Sequence, residues 1–315
     1  MKGLVIAATG ALALGIAAGA HAQEEVTIGV SIPAATHGWT GGVNYHAERI
    51  TQRLEEQYDN LSIVITAADG ASQQANDLED LMAVQQIDAL VILPFESDPL
   101  TDPVRYVKEQ GIFVTVVDRG LAQDGIEDLY VAGDNPGFGQ LAGQYFTERL
   151  SEGDNIVVLR GIPTVIDDER VSAFSAAIEG SGINVLDMEY ANWNRDDGFE
   201  VMQDFLSRHQ DIDGVWAGDD DVALGVIEAI QQADRADEMF VVGGGGMKQV
   251  IERVNQGDEL TPIDILYPPS MIATAIELTA LRYVAAVPIE GTYILKSPIV
   301  TPENAEQYYF PDSPY

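Results

Sequence analysis

Cysteine is absent from the 315 residues. That excludes a disulfide framework, a thiolate metal site, a cysteine nucleophile and a lipidated cysteine. Lysine is almost as scarce: beyond residue 22 only Lys108, Lys248 and Lys296 remain, beside twelve arginines. With 51 Asp and Glu against 16 Lys and Arg, the formal charge is −35. No basic surface large enough to neutralise a phosphate backbone can be assembled, so nucleic acid is excluded as a partner. Anionic membrane surfaces are disfavoured for the same reason. Long apolar runs are missing too. The stretch 4–18 is short of the ~20 residues a spanning helix needs and is broken by Gly10 and Gly15.

What is present begins with an address. Met1-Lys2, the apolar stretch and Ala20-His21-Ala22 have the order of a secretory signal peptide cleaved after Ala22. Export to a periplasm is the expectation, with residues 1–22 as the signal. The acid excess is dispersed along the chain. This pattern suits a surface that stays soluble where salt screens self-repulsion, and we read it as halophilic adaptation; a merely acidic protein is the plainer alternative.

The remainder alternates apolar strands with amphipathic helices. Strands are expected at 26–32, 61–67, 88–93, 112–117 and 129–132, with helices at 39–57, 72–86, 99–110 and 135–150. The rhythm restarts with strands at 155–159, 183–190, 214–217, 240–242, 260–266 and 293–295. Its helices are expected at 169–180, 197–209, 221–233, 247–255 and 270–287. Two such runs predict an α/β protein of two doubly wound parallel-sheet lobes.

Ligands of open α/β sheets sit at the carboxyl ends of strands. The loops there carry His37 and Trp39, then Glu96, then Asp118 and Arg119. In the second half they carry Arg170, Trp193, the run 219–221, the glycine run 243–246 and Tyr267. Aromatics, carboxylates and guanidinium groups are abundant, and no nucleophile–base pair stands among them. This chemistry suits a neutral polyhydroxylated ligand, with rings covering C–H faces and charged groups pairing with hydroxyls. Each residue also has a plainer reading. Trp39 could be core at a helix start, Asp118 a turn cap, and the arginines surface ion pairs. One of the three aspartates would cap the following helix. The glycine run follows a strand and opens a helix, as a phosphate cradle does, but it fits neither the dinucleotide fingerprint nor Walker A. A tight turn with close backbone approach is the other reading.

Several segments, in order and spacing, resemble a known family. They are Asp118-Arg119, Gly133-Asp134-Asn135, Arg160-Gly161-Ile162-Pro163 leading to Glu169-Arg170, Ala191-Asn192-Trp193-Asn194-Arg195, Asp211-Ile212-Asp213 leading to Asp219, and Val241-Val242-Gly243. The chain resembles periplasmic sugar-binding proteins of the ribose/galactose type, solute receptors of ABC importers with the type I periplasmic binding fold. Lactose-repressor-type regulators share that fold, but here a signal peptide stands where their DNA-binding headpiece would be. The resemblance implies a three-segment hinge, an N-terminal lobe of 23–133 plus 267–291 and a C-terminal lobe of 134–266 plus 292–315. It implies a sugar or polyol held between the lobes, an inner-membrane ABC permease as partner, a monomer, no cofactor, no metal and no enzymatic activity. Presentation of the bound sugar to a membrane chemoreceptor or kinase is the alternative role. Carried over by position, Trp39 and Trp193 would stack on the ligand, and Asp118, Arg119, Arg170 and Asp219 would hydrogen-bond it. Three departures stand out. Leu93-Pro94 replaces an Asn-Pro, Gly244-Gly245-Gly246 replaces an aromatic-Asp-Gly, and Leu266 or Tyr267 replaces a glutamine. His37, Glu96, Gly245 and Tyr267 are therefore added as ligand contacts.

Overall fold

The computed structural model describes residues 25–35 and 38–315. The leader at 1–22 and His37 lie outside the described residues.

The first sheet forms around β1 (Val26–Pro33), which pairs in parallel with β2 (Leu61–Ala68) on one side and β3 (Ala89–Ile92) on the other. β4 (Phe113–Val117), β5 (Leu129–Gly133) and β11 (Gly291–Leu295) extend it in the order β11-β5-β4-β3-β1-β2. The second sheet is also parallel, in the order β7-β6-β8-β9, from β6 (Asn155–Arg160), β7 (Asn184–Tyr190), β8 (Gly214–Ala217) and β9 (Phe240–Val242).

Side-chain parity shows why both sheets are wound on two faces. Successive strand residues point to opposite sides. Leu90 and Ile92 bury against Leu78 and Leu81 of α2 (Ala71–Ala83) and Val104 and Val107 of α3 (Ser97–Glu109). Val91 buries on the other face, with α1 (Gly38–Gln57) and α9 (Met271–Val284). In the second sheet Val157 and Leu159 meet α6 (Arg195–Arg208) and α7 (Asp220–Gln232). Ile156 and Val158 join Phe138 and Phe146 of α4 (Asn135–Arg149) and Phe174 of α5 (Val165–Ile178). This last face and the α1/α9 face of the first sheet form one continuous apolar core. None of the helices among the described residues is long and apolar enough to cross a membrane.

Three differences from the sequence reading have physical causes. First, the strand expected at 260–266 shrinks to β10 (Asp264–Ile265), which pairs antiparallel with β12 (Ile299–Val300). Pro262 lacks an N–H for a ladder, and Leu260 reaches β9 only through its carbonyl, which accepts from Val241 N–H at 2.7 Å. Second, α5 starts at Val165 and not at 169, because Thr164 is its cap: Oγ1 accepts from Asp167 N–H at 3.4 Å. Third, residues 292–295, expected in the second lobe, belong to the first sheet. The open edge of β5 takes all of β11 as a parallel partner, so the third passage between sheets follows Leu295. Beyond it, β12 and a short 3₁₀ turn (Ala305–Tyr308) lead a tail back toward the cleft.

Candidate functional site

The carboxyl ends of β4, β8 and β9 converge with the start of α1 and the passage after β10. They enclose a small cavity of about 50 Å³, room for several waters given the ~10–15 Å³ that one requires. Trp39, Asp118, Arg119, Arg170, Trp193, Asp219, Gly245 and Tyr267, eight of the ten residues singled out in the sequence, line it together. Ile166, Gly244 and Tyr315 complete the lining. Glu96 is not among them: exposed, it lines a wider outer mouth of about 560 Å³, shared by Arg119, Asp118 and Trp193.

Asp118 ends β4 in a left-handed conformation, φ 57°, which aspartate tolerates better than most residues. Its N–H donates to Val131 O at 2.8 Å, and its carbonyl accepts from Tyr130 Oη at 2.5 Å, so the backbone is held on both sides. The side chain is buried, and Oδ1 accepts from Tyr267 Oη at 2.5 Å. Tyr267 also takes Trp39 Nε1–H on its carbonyl at 3.0 Å. One tyrosine therefore fixes both the carboxylate and the indole. Burial, with the Asp118 charge second, pushes its phenol well above the ordinary range, so it remains a donor.

Arg170 reaches the cavity from α5 and is buried. Its Nε donates to Asn135 Oδ1 at 2.9 Å and its Nη1 to Gly218 O at 3.1 Å. Its guanidinium lies 4.3 Å from the Tyr267 ring centre and 4.4 Å from that of Phe138. The placement depends on Gly139 of α4: a Cβ there would come within 1.9 Å of Arg170 O, so α4 and α5 could not touch. The surface-ion-pair reading of Arg170 is thereby replaced by a buried, hydrogen-bonded one. Arg119 donates through Nη1 to the carbonyls of Pro94 and Phe95, tying the loops after β3 and β4 together. Trp193 sits in a turn where Asn192 and Trp193 both take positive φ, which turns the half-buried indole toward the cleft.

The three consecutive aspartates split three ways. Asp219 is both the cap of α7 and a wall of the cavity, with Oδ1 accepting from Val222 N–H at 2.9 Å. Burial pushes its carboxyl up to about 8; Asp221 and Asp220 add to this, while the Val222 N–H and Arg170 oppose it. Asp221 lies 3.6 Å from Arg195. Asp220 is fully buried, and its Oδ2 accepts from Gly246 N–H at 3.0 Å and Met247 N–H at 2.7 Å. Asp264 Oδ2 takes the same Gly246 N–H at 3.0 Å. Burial, with Asp264 beside it, raises Asp220 well above the carboxylate range. The amides that a phosphate cradle would offer an anion are thus spent on two internal carboxylates. The glycine run is a tight turn, and backbone forms the cavity wall at Gly244 and Gly245.

Tyr315 escaped the sequence reading because the stretch 301–315 has neither helical nor strand periodicity. Its only signal was a cluster of aromatics, Tyr308, Tyr309, Phe310 and Tyr315, in an otherwise polar, proline-containing tail.

Comparison with known proteins bears on the family and the fold. The model of the periplasmic binding protein domain matches residues 28–281. The ribose import binding protein of Escherichia coli is 30% identical over 284 residues, 90% of this chain and 93% of that protein. A periplasmic solute-binding protein of an ABC transporter from Actinobacillus succinogenes, solved with D-allose, shares the fold at TM-score 0.80 and 23% identity, covering 90% of this chain and 100% of that one. The fructose-binding periplasmic domain of a hybrid two-component system has TM-score 0.77 and 28% identity, covering 90% and 93%.

Proposed function

The chain belongs to the periplasmic binding protein family, and on that premise we propose that it is a receptor for a small neutral sugar or polyol. It would deliver the ligand, as a monomer and without turnover, to an ABC permease from the periplasm. The observation that carries the reading is the composition of one cavity wall to wall. Four aromatic residues, Trp39, Trp193, Tyr267 and Tyr315, meet two carboxyl and two guanidinium groups drawn from elements beside both sheets. Rings offer flat apolar faces, while Asp118, Arg119, Arg170 and Asp219 offer acceptors and donors in separate directions. A mixed-sign set of this kind matches hydroxyls better than it matches a charged ligand.

We place the hinge at residues 133–134, 266–267 and 296–298, where the chain passes between the sheets. A thermal-shift screen of pentoses, hexoses, sugar alcohols and cyclitols tests the reading. Stabilisation of about 2.7 kcal/mol is expected at one hundred times Kd. If no such compound raises the melting temperature, or one is chemically converted, the proposal fails.

A second reading, presentation of the bound sugar to a membrane sensor, is favoured by the likeness to the two-component fructose-binding domain. A pull-down with the periplasmic part of a sensor kinase, with and without sugar, separates it from import. The −35 charge supports a saline habitat. Melting temperature should then rise from dilute buffer to molar NaCl, and a flat or falling curve removes that part of the proposal.

A further inference from the structure

We propose that Tyr315 is a ligand-contacting, specificity-determining residue: the returning tail supplies, through its phenol, the side chain that the glycine wall after β9 lacks. The inference rests on the reading of the cavity as a carbohydrate site.

Four observations converge on it. Tyr315 is 2% exposed and lines the cavity. Its Oη is buried without a hydrogen-bond partner, an expensive state for a hydroxyl unless something enters to receive it. The wall beside it carries no side chains. A Cβ at Gly245, where φ is +145°, would come within 1.9 Å of Tyr315 Oη, so the phenol occupies the space that a side chain at 245 would need. Finally, the tail is fastened. Lys248 Nζ donates to the carbonyls of Ser313 and Pro311, Ser313 N–H donates to Phe310 O at 3.1 Å, and Tyr315 N–H donates to Ser313 Oγ at 3.2 Å. The ring packs on Met247 and Val250, with Trp39 against the same cluster.

A residue from far along the chain thus lines one cavity with Asp118 and Arg170 and packs against Trp39 of the first half and Met247 and Val250 of the second. Its hydroxyl is a donor and acceptor, and burial holds the phenol in its protonated form at neutral pH. A sugar or polyol hydroxyl within reach would satisfy it. Ligands differing only in the configuration of that hydroxyl would then be told apart at this atom, because the wrong epimer leaves the phenol unpaired.

Calorimetry with D-ribose, D-allose and myo-inositol as probes tests this on the full mature chain, with Tyr315→Phe, Tyr315→Ala and Asp118→Ala. Tyr315→Phe keeps the packing and removes only the hydroxyl. It is expected to weaken the tightest-binding probe by about 5- to 30-fold, the range for one lost hydrogen bond in a closed site. Without sugar, its urea midpoint should be unchanged or higher, since a partnerless buried hydroxyl has been deleted. Tyr315→Ala should weaken binding further. Unchanged or tighter binding in Tyr315→Phe, while Asp118→Ala loses binding, overturns the role of Tyr315 and leaves the cleft reading intact. Loss of unliganded stability in step with affinity marks the ring as scaffold and also overturns it. If Asp118→Ala binds as the unaltered protein does, or no probe binds that protein, the cleft reading falls and the inference falls with it.

Discussion

Asp118 and Arg119 come straight off the end of β4, and Trp39 off the start of α1, so the wall beside the first sheet consists of side chains from the segments that follow β1 and β4. Across the cavity, beyond β9, the corresponding position is bare backbone at Gly244 and Gly245, and the ring against Gly245 comes from Tyr315, seventy residues further along. The first wall is local in sequence and follows from the rule that ligands sit at strand ends. The second is assembled from a turn, a buried pair of aspartates and a tail, and no local pattern announces it. The contrast is between a wall built locally and one built by a returning segment. Glycine opens a position, and a distant segment fills it.

The largest effect should come from Asp118→Ala. It removes two acceptors from the ligand and leaves Tyr267 Oη, which donates to Oδ1 at 2.5 Å, unpaired in a buried place. Affinity is expected to drop at least about 100-fold, equivalent to ~2.7 kcal/mol, with about 1–3 kcal/mol lost from folding stability. Calorimetry and urea unfolding on the same preparation read both. Retained affinity would show that the first wall is not the principal grip.

A second test concerns the wall that holds Asp219. Its folded carboxyl is raised to about 8 by burial, from an ordinary value near 3.8. The folded state therefore keeps a proton that the unfolded chain has released. That contribution is full below the unfolded value and is lost as pH rises through about 8. His46, lowered to about 4 by burial and then by Arg49, stays neutral in both states above about pH 7 and does not obscure the trend. The share of unliganded stability that Asp219 carries should fall by roughly 1 kcal/mol from about pH 7 to pH 8 and level off above it, while Asp220, also raised by burial, adds a fall of its own. Asp219→Asn should flatten the slope. The amide oxygen can still accept from Val222 N–H, so the helix cap survives. An identical slope in the variant would mean that Asp220 and Asp264 carry the dependence.

The smallest effect belongs to Glu96→Gln. Glu96 precedes α3 without capping it through its side chain and lines only the outer mouth. Affinity should change less than about twofold, as for a peripheral charge. A tenfold loss in calorimetry would move the ligand outward and blur the distinction between cavity and mouth.

The same two walls mark what could be read without a structure. Strands such as Ala-Leu-Val-Ile of β3 are buried on both faces and announce themselves by composition alone. The restart of the rhythm at β6 announces the second sheet. Residues at strand ends are therefore findable, and Asp118, Trp193 and Asp219 meet in one cavity with Arg170 of α5. Contacts that depend on tertiary return were not. β12 pairs only two residues with β10, too short a ladder to shape composition. Tyr315 sits in a segment whose order comes from carbonyls held by Lys248, a bond type that carries no sequence period. Glu96 also follows a strand end, and it lines the outer mouth together with Asp118, Arg119 and Trp193.

The central claim is that one ligand is gripped by walls from both sheets. A ligand can close two halves only if it binds the closed arrangement more tightly than the open one. Small-angle scattering of the mature chain, with and without a sugar whose binding calorimetry has confirmed, measures this directly. The account predicts a smaller radius of gyration when the sugar is bound. An unchanged radius at saturation would contradict it, because the ligand would then be held by one wall alone.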